Sequence, residues 1–310
     1  MAKTLSIFNN KGGVGKTTYM YHIAHLLARK ERKVLMVDCD SQCNLTSYSM
    51  SDEDVENSWK EGGNSIFRVI EDVYEGLGDF KKIRPHEVET GLYLIPGDLS
   101  LSLFEDRLGD TWNSAKGGSS PDIRNQTAIY RYIDWCINDI DFVLVDLGPN
   151  LGALNRSVLG GSDFFITPIA ADLFSLKGTD NLGNKLVTWA DEWVQIKQSY
   201  KKGDIIIPGG KPKFLGYVIQ QHNIRNNSEG MTKGWQIFGN QIAPTIKNNI
   251  VDRLLPIGQI KESDNYNLGQ IPNLHSLITY SLNAKKPVFD CTHQHVRPLL
   301  FYKTVNSSNS

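Results

Sequence analysis

The sequence predicts an α/β fold: a doubly wound, mostly parallel sheet with helices on both faces. Short apolar runs alternate along the chain with segments of helical periodicity, the pattern of parallel strands joined by helices. The first 37 residues also contain a strand, a glycine-rich loop, a helix and a second strand, in that order. The predicted strands are Leu5–Phe8, Val34–Val37, Leu92–Ile95, Phe142–Val145, Phe164–Thr167, Phe214–Ile219 and Leu268–Ile271.

The helix between the first two strands is predicted from apolar side chains that recur at helical spacing. A charged triplet, Glu31-Arg32-Lys33, then ends the helix. The apolar residues that carry this pattern are Tyr19, Met20, Ile23, Ala24, Leu26 and Leu27.

We expect a single domain over residues 1–303, followed by a disordered tail over residues 304–310 that ends in Asn and Ser. Two stretches rich in Gly, Ser or Pro, near 113–122 and 201–213, are predicted to be surface insertions in this domain.

Composition narrows the class of protein. Of 310 residues, 40% are hydrophobic and 22% are charged, the balance of an ordinary globular protein. The net charge of -1 gives no overall positive field, so nucleic-acid or membrane binding would need a local patch. Four cysteines are too few for a disulfide scaffold. The N-terminus runs directly into a strand and no 18 apolar residues occur in a row, so we expect a cytosolic protein without a transmembrane segment.

The loop after the first strand contains the residue types that bind a phosphate chain. Phosphate binding needs converging backbone N–H groups at a helix N-terminus, a lysine for the phosphates and a hydroxyl for Mg²⁺. In the stretch Lys11-Gly12-Gly13-Val14-Gly15-Lys16-Thr17-Thr18, the glycines free the backbone, Lys16 supplies the charge and Thr17 supplies the hydroxyl. Asn10 stands where the strict pattern has glycine, and asparagine tolerates left-handed backbone angles. We therefore predict that residues 11–18 bind ATP with Mg²⁺.

This stretch, together with Asn9 and Asn10, resembles the deviant Walker A motif of the ParA and MinD family of ATPases. Lys11 is the distinguishing residue, because phosphate binding within one subunit does not need a second lysine. In that family the early lysine reaches across a dimer to the phosphates of the other subunit. The resemblance implies a homodimer that encloses ATP and hydrolyses it, with Lys11 and Lys16 among the catalytic residues.

Two acidic motifs at strand ends extend the resemblance. Residues 34–44 resemble the family's strand that ends in Asp-x-Asp-Pro-Gln-Gly-Asn, with Ser41 and Cys43 in place of Pro and Gly. Asp38 and Asp40 are two residues apart at the end of a strand, a spacing that lets both face one pocket. The resemblance implies that Asp40 orients or activates the attacking water and also belongs to the metal site, with Thr17 and Asp146. Asp146 ends an apolar strand in the form of a Walker B motif and is expected to hold Mg²⁺ through water.

The resemblance continues, more thinly, to about residue 290. In Pro168–Gly178, Asp172 stands where the family usually has Glu. Tyr217–Asn226 aligns with the loop near the base in relatives, so Asn223 and Arg225 are candidates for adenine contacts. The stretch 271–277 lacks the arginine and the Glu-Ala-Pro that ParA proteins often carry, so the DNA-binding residues of ParA do not transfer directly.

The function implied by the resemblance is that of a ParA-like partition or positioning ATPase. ATP closes the homodimer, the dimer binds DNA without sequence preference, and hydrolysis stimulated by a ParB-like partner releases it. Candidate basic residues for DNA are concentrated in 177–213, with seven lysines against four acids, and in 272–303, with four basic residues against one acid. In a single copy a solvated helical face is the favoured interpretation of such a patch, whereas a dimer doubles it.

Two alternatives remain open. A MinD-like ATPase would bind a membrane through a terminal basic amphipathic helix, for which Val296–Lys303 is short and interrupted by Pro298. A regulatory switch would use ATP-dependent dimerisation to control another complex, with slow hydrolysis as a timer.

Overall fold

The apolar runs of the sequence form one sheet with the strand order β3-β4-β2-β5-β1-β6-β7-β8 in the computed structural model, which describes residues 2–222, 237–274 and 276–291. All seven predicted strands are confirmed, with ends that shift by a few residues. The strands are β1 (Lys3–Ile7), β2 (Val34–Cys39), β3 (His86–Glu89), β4 (Leu92–Ile95), β5 (Phe142–Leu147), β6 (Phe164–Ile169), β7 (Lys213–His222) and β8 (Asn267–Pro272).

The edge strand β3 was not predicted from the sequence. It pairs antiparallel with β4, whereas the pairs between the other strands are parallel. Residues 86–89 alternate between half-buried and exposed, and three of the four are His or Glu. An edge strand with one polar face lacks the apolar run that identifies a buried parallel strand.

Helices connect the strands and cover both faces, which confirms the doubly wound fold class. The α-helices are α1 (Lys16–Arg29), α2 (Asn44–Ser49), α3 (Asp52–Trp59), α4 (Ile66–Glu75), α5 (Leu101–Asp110), α6 (Trp112–Lys116), α7 (Ser120–Cys136), α8 (Ala153–Gly160), α9 (Leu173–Ser199), α10 (Ile242–Ile246), α11 (Asp252–Leu254) and α12 (Ser276–Asn283). A π-helical segment, Lys247–Val251, joins α10 to α11.

The period of two along each strand divides the core between the two faces of the sheet. Val34 and Met36 of β2 pack in the cluster that contains Met20 and Ala24 of α1. The alternate residues of β2 pack in the larger cluster, to which α4, α5 and α7–α11 contribute. Successive side chains of a strand point to opposite faces, so a strand buried on both sides is apolar throughout.

A third, smaller cluster lies where the two predicted insertions meet. The rings of Trp112 and Trp193 are 5.4 Å apart and stand edge to face. The stretch near 113–122 contains the end of α6 and the start of α7, and the stretch 201–213 folds back over the end of α9. The stretch 201–213 is mostly exposed, whereas most of 113–122 is half-buried or buried, and that the two are insertions stays a prediction. The buried members of the cluster are Trp112, Ala115, Ile123, Trp193, Ile196, Tyr200 and Ile205.

Within the described ranges, no helix has the length and apolar character needed to cross a membrane. The predicted tail 304–310 and the segment Val296–Lys303 lie outside those ranges.

Candidate functional site

The carboxyl ends of β1, β2 and β5 bring the predicted site residues together. β5 lies between β1 and β2 in the sheet. Asp146 of β5 is in register with Asp38 of β2 on one side and with Ile7 of β1 on the other. Residues in register on parallel strands point to the same face. The carboxylates of Asp38 and Asp146 therefore lie on the same face, next to the loop that joins β1 to α1.

This loop turns at two glycines. Gly13 has a φ of +72° and Gly15 a φ of +75°, in the left-handed region that glycine enters without steric cost. Gly15 is the N-cap of α1, so the backbone N–H groups of the first turn face the loop. Asn10 does not have a positive φ, so the tolerance of asparagine for left-handed backbone angles does not explain why it stands at this position. Its side chain instead packs against α9, where a Cβ on Gly178 would stand 2.6 Å from Asn10 Oδ1.

Lys16 opens α1 and is only 7% exposed. Its Nζ donates to the backbone oxygen of Lys11 at 3.2 Å, so the side chain folds back across the loop. Burial lowers the pKa of Lys16, and the negative charges of Asp146 and Asp40 oppose that shift. A nearly buried ammonium beside the loop is positioned to bind phosphate oxygens through charge-assisted hydrogen bonds.

Asp38 and Asp40 have different surroundings. The spacing allowed both to face one pocket, but only Asp40 lines the cavity. Asp38 is fully buried, and its Oδ2 accepts bonds from Thr46 N at 2.9 Å and Thr46 Oγ1 at 2.7 Å, which holds α2 against β2. Asp40 lines the cavity at the loop, and its Oδ1 accepts from Gln42 N at 3.0 Å. The turn into α2 passes through Cys43 at a φ of +53°, which explains why glycine suits this position in the resembled motif.

Asp146 carries the least compensated charge of the site. Its side chain is fully buried, and among the described residues neither carboxylate oxygen has a hydrogen-bond partner of normal geometry. Burial raises the pKa of Asp146, as does the charge of Asp38, while the nearby Thr17 hydroxyl and Lys16 oppose the shift. A buried carboxylate with two free oxygens beside a hydroxyl fits a hard cation. The described residues hold no cluster of three or more His, Cys, Asp or Glu arranged for a metal, and Mg²⁺ commonly relies on water and phosphate oxygens instead.

A cavity of about 660 Å³ opens at the loop. Most of the site residues that the sequence predicted line this cavity. Lys11, Val14 and Asp146 were also predicted but do not line it. Val14 and Asp146 are buried side chains. The predicted residues that line the cavity are Gly12, Gly13, Gly15, Lys16, Thr17, Thr18 and Asp40.

Lys11 points away from the loop. Its Nζ bonds Asp172 Oδ2 at 2.6 Å, across 161 positions of sequence. Partial burial would raise the pKa of Asp172, but hydrogen bonds from Lys11 and Ser175 outweigh it and hold the pKa below its usual value. In this conformation Lys11 is paired with α9 of its own chain, and Lys16 is the lysine at the phosphate loop.

The outer wall of the cavity is apolar and was missed by sequence reasoning. Tyr19, Ile23 and Leu26 of α1 line it, although the sequence pattern groups them with the core residues of the same helix. The apolar stripe of α1 is therefore wide enough to serve both the sheet and the cavity. The opposite side is formed by the stretch after β8, by α12 and by the 3₁₀ turn that follows it: Ile271, Pro272, Asn273, Leu274, Ile278 and Phe289.

His22 holds that C-terminal turn against α1. Its Nδ1 donates to Thr18 O at 2.7 Å, and its Nε2 accepts from Val288 N at 3.0 Å, which fixes the neutral ring with the proton on Nδ1. The guanidinium of Arg29 lies 4.7 Å from the ring centre of Phe289. These contacts join the helix behind the phosphate loop to the end of the described chain.

The predicted adenine contacts, Asn223 and Arg225, lie outside the described residues. Gln220, three residues earlier, lines the cavity and is 7% exposed. Its Oε1 would be 3.4 Å from a Cβ on Gly15, and its Nε2 is buried without a hydrogen-bond partner in the described ranges. Gln220 stands near the carboxyl end of β7, two strands from β1, so the sheet order rather than any local motif identifies it.

Comparison with known proteins agrees with this geometry. A family model described as an AAA domain, AAA_31, matches residues 2–198, more than half of the chain. The sporulation initiation inhibitor protein Soj of Bacillus subtilis is 27% identical over 210 residues, which covers 67% of this chain and 71% of Soj. Further curated relatives are matched over 49% to 61% of their own length.

Solved structures show the same fold. Protein DIP2308 from Corynebacterium diphtheriae superposes with a TM-score of 0.72 at 26% identity, over 96% of this chain and 99% of that one. A putative plasmid partition protein from Borrelia burgdorferi B31, bound to AMPPNP, superposes with a TM-score of 0.58 at 19% identity over the full length of both chains. The chain therefore belongs to the AAA_31 family, and it is an ATPase of the ParA and MinD type.

Proposed function

We propose that this chain binds ATP with Mg²⁺, dimerises around it and hydrolyses it to drive partition or positioning of DNA or another cargo. The observation that carries the proposal is the edge of the sheet where the phosphate loop, Lys16, Asp40 and the uncompensated Asp146 meet. The α/β fold binds ligands at the carboxyl ends of its strands, at the position where these residues lie.

ATP binding rests on the loop and on the start of α1. The N–H groups at the helix N-terminus attract the phosphates, and the helix dipole adds to that attraction. Lys16 gives up its bond to the Lys11 carbonyl and turns its charge to the phosphates. The apolar wall from Tyr19 to Leu26 and the stretch after β8 leave room for the nucleoside.

Asp146 and Thr17 are the residues that would hold Mg²⁺, with Asp40 at the rim of the same site. The cation supplies charge neutralisation for the phosphate oxygens when it is bound. It would also compensate the buried charge of Asp146, whose carboxylate oxygens have no hydrogen bond of normal geometry among the described residues. The carboxylate stays ionised once a cation faces it, because an opposite charge favours the charged form.

Hydrolysis needs one water oriented toward the γ-phosphorus. The water oxygen bonds to phosphorus, the bond to the bridging oxygen of ADP breaks, and the proton of the water passes to the phosphate products. Asp40 is the carboxylate at the cavity, and its Oδ1 is fixed by Gln42 N, so its other oxygen is available to orient the water.

The position of the Lys11 side chain supports dimerisation. In its own chain the side chain pairs with Asp172 at 2.6 Å, so it contributes nothing to its own phosphate site in this conformation. We infer that Lys11 acts on the phosphates of a second copy, and that a ParB-like partner stimulates turnover.

DNA binding is supported by exposed lysines along and beyond α9, including Lys177, Lys185, Lys201 and Lys202.

Lys285, a basic residue of the second predicted patch, has a different environment. Its Nζ donates to the carbonyls of Ser47, at 3.0 Å, and Met50. Lys285 therefore caps the end of α2, and charge reversal there would disturb the fold rather than test DNA binding. The remaining basic residues of that patch past 291, Arg297 and Lys303, lie outside the described residues.

The two loop lysines separate nucleotide binding from dimerisation. We expect Lys16→Ala to weaken ATP binding about 100-fold, because it removes a nearly buried charged donor from the phosphates. Lys11→Ala removes the same charge five residues away, and we expect it to bind ATP within a few-fold of wild type but to lose ATP-dependent dimerisation and turnover. Titration with a fluorescent ATP analogue and light scattering measure the two effects. Equal ATP affinity in Lys16→Ala and wild type would contradict the site assignment.

Asp146→Asn should stabilise the ligand-free protein while removing its response to Mg²⁺. The raised pKa means that the folded wild type binds this proton more tightly than the unfolded chain, so its stability falls as pH rises above the ordinary carboxyl range. At pH 8 we expect the variant to unfold with a free energy about 1 to 3 kcal/mol higher, a difference that shrinks toward pH 5. Urea denaturation without ligand, and with Mg²⁺ and ATP, measures both effects. A less stable ligand-free variant at pH 8 would show that the carboxylate has a favourable partner.

Asp40→Asn should bind ATP as wild type does and hydrolyse it at least about 100-fold more slowly, because water orientation matters in the chemical step. The asparagine oxygen can still accept the bond from Gln42 N, so the turn is preserved. Phosphate release assays give the rate, and sedimentation with ATP should show a persistent dimer. An unchanged rate would move the catalytic function to another residue.

DNA binding without sequence preference should require ATP and fall steeply between low and moderate salt. We expect Lys201→Glu with Lys202→Glu to weaken it further. Lys60→Glu with Lys82→Glu is the matched control, since it makes the same charge change at exposed lysines within residues 51–110, where 15 Asp and Glu outnumber 6 Lys and Arg. Gel shifts with plain DNA, beside flotation with anionic vesicles, separate the DNA and membrane alternatives. If the ATP-bound protein ignores DNA even at low salt, the partition function is wrong.

A further inference from the structure

The last described segment of the chain runs along one side of the nucleotide cavity. Residues 276–291 contain α12 and the 3₁₀ turn Val288–Asp290, and we call this segment the strap. Its side chains Ile278 and Phe289 line the cavity, on the side opposite the apolar wall of α1. The width of the cavity on this side therefore depends on where the strap lies.

One group of contacts fastens the strap to α1, and we call it the α1 clasp. Val288 N donates to His22 Nε2 at 3.0 Å, and the carboxylate of Asp290 pairs with Arg29. The guanidinium of Arg29 also lies 4.7 Å from the ring centre of Phe289. One arginine therefore makes both an ion pair and a cation–π contact with the strap.

A second contact, the α2 clasp, fastens the strap to the end of α2. Lys285 Nζ donates to the carbonyls of Ser47, at 3.0 Å, and Met50. It also lies 3.7 Å from the exposed carboxylate of Asp52. Tyr48 of α2 lines the cavity, as α1 does. The strap is thus attached to both of the helices that flank the cavity.

The strap is held by these clasps rather than by the core of the protein. None of its side chains belongs to the three core clusters of the described chain. Its buried residues are Ser281 and Pro287, and Ser281 Oγ bonds the backbone oxygen of Lys286 within the strap itself. Exposed ion pairs contribute little stability, whereas buried apolar side chains contribute much more. The strap can therefore leave the cavity without opening the core.

We propose that the strap opens and closes the nucleotide cavity, and that nucleotide enters and leaves when the two clasps release. This inference rests on the nucleotide binding proposed above. It adds to that function the element that controls nucleotide exchange, and it assigns Arg29 and Lys285 as the residues that keep the strap closed.

The order of the strands places the strap at the nucleoside end of the site. Asp146 ends β5 and Asp40 follows β2, so the metal and the attacked phosphate lie on one side of β1. The stretch after β8 that leads into the strap lies on the other side of β1. A nucleotide held by the phosphate loop therefore directs its nucleoside toward the strap.

Release of the strap does not require α2 to move. Thr46 of α2 remains bonded to the buried carboxylate of Asp38 through its N–H at 2.9 Å and its hydroxyl at 2.7 Å. The α2 clasp can therefore break while α2 stays on the sheet. Neither Arg29 nor Lys285 lines the cavity, so a change at either residue acts on the strap and not on the nucleotide directly.

The α1 clasp is tested with Arg29→Met, which removes the charge and keeps the apolar stem. We expect the rates of ADP association and ADP dissociation both to rise about three- to tenfold, because an ion pair and a cation–π contact no longer hold the strap closed. The dissociation constant should change less than either rate. Lys30→Met is the matched control, since it makes the same change at the next, exposed residue.

The α2 clasp is tested with Lys285→Met and its control Lys286→Met, an exposed lysine one position further along the strap. We expect Lys285→Met to raise both rates and Lys286→Met to match wild type. Circular dichroism checks that each variant is folded. If Lys285→Met does not fold, Asp290→Asn takes its place, because it breaks the ion pair with Arg29 from the strap side.

Chase of radiolabelled ADP with unlabelled ADP gives the dissociation rate, and rapid filtration gives the association rate. A strap that is only a fixed wall predicts faster dissociation with unchanged association, and that result overturns the proposal. It is also overturned if Arg29→Met, or the folded variant of the second test, matches wild type. If wild type binds neither ADP nor ATP, the proposed function fails together with this inference, whereas normal binding with unaffected variants refutes the inference alone.

Discussion

The buried carboxylate of Asp146 is the constraint on which the rest of the site depends. Strand register places it beside Asp38, and in the closely packed sheet neither group reaches water. The fold compensates one of the two: Thr46 gives Asp38 two hydrogen bonds and thereby fixes α2. Among the described residues neither oxygen of Asp146 has a hydrogen bond of normal geometry, and the nearby Thr17 hydroxyl and Lys16 offset its burial only in part. A buried charge of this kind costs stability in the ligand-free protein, and a bound cation would remove that cost.

Much of the fold could be predicted from the sequence because a buried parallel strand appears there as a short apolar run. A strand covered on both faces is apolar at most positions, and the predicted strands other than Leu268–Ile271 have such a run. β3 could not be predicted in this way, because half of its side chains face water and the sequence His86–Glu89 is typical of a polar loop. The contact between Trp112 and Trp193 joins segments about eighty positions apart, and spacing along a chain does not encode pairings of that kind.

The candidate site, like the fold, could be predicted from the sequence only in part. The phosphate loop and the acids at strand ends were found because their chemistry requires fixed residue types at short spacing. The different surroundings of Asp38 and Asp40 were not predicted, since the spacing of two residues is the same whether a carboxylate bonds the next helix or faces a cavity. The pairing of Lys11 with Asp172 was also missed, although both residues were singled out. Resemblance to a family describes the lysine in its dimeric state, whereas the pairing belongs to the single chain.

Helix α9 connects these features because its contacts are distributed along its whole length. At its start Asp172 holds Lys11 and Gly178 packs on Asn10, so the helix touches the phosphate loop at two points. Further along, Arg253 bonds Asp180, and the buried Trp193 anchors its last turns in the third cluster. A helix of 27 residues is about 40 Å long and resists bending when both ends are packed. The exposed lysines on and beyond α9 are therefore carried by the same rigid element that contacts the loop. In the dimer proposed above, the second chain would add a second copy of those lysines, and two copies held together bind a polyanion more tightly than either does alone.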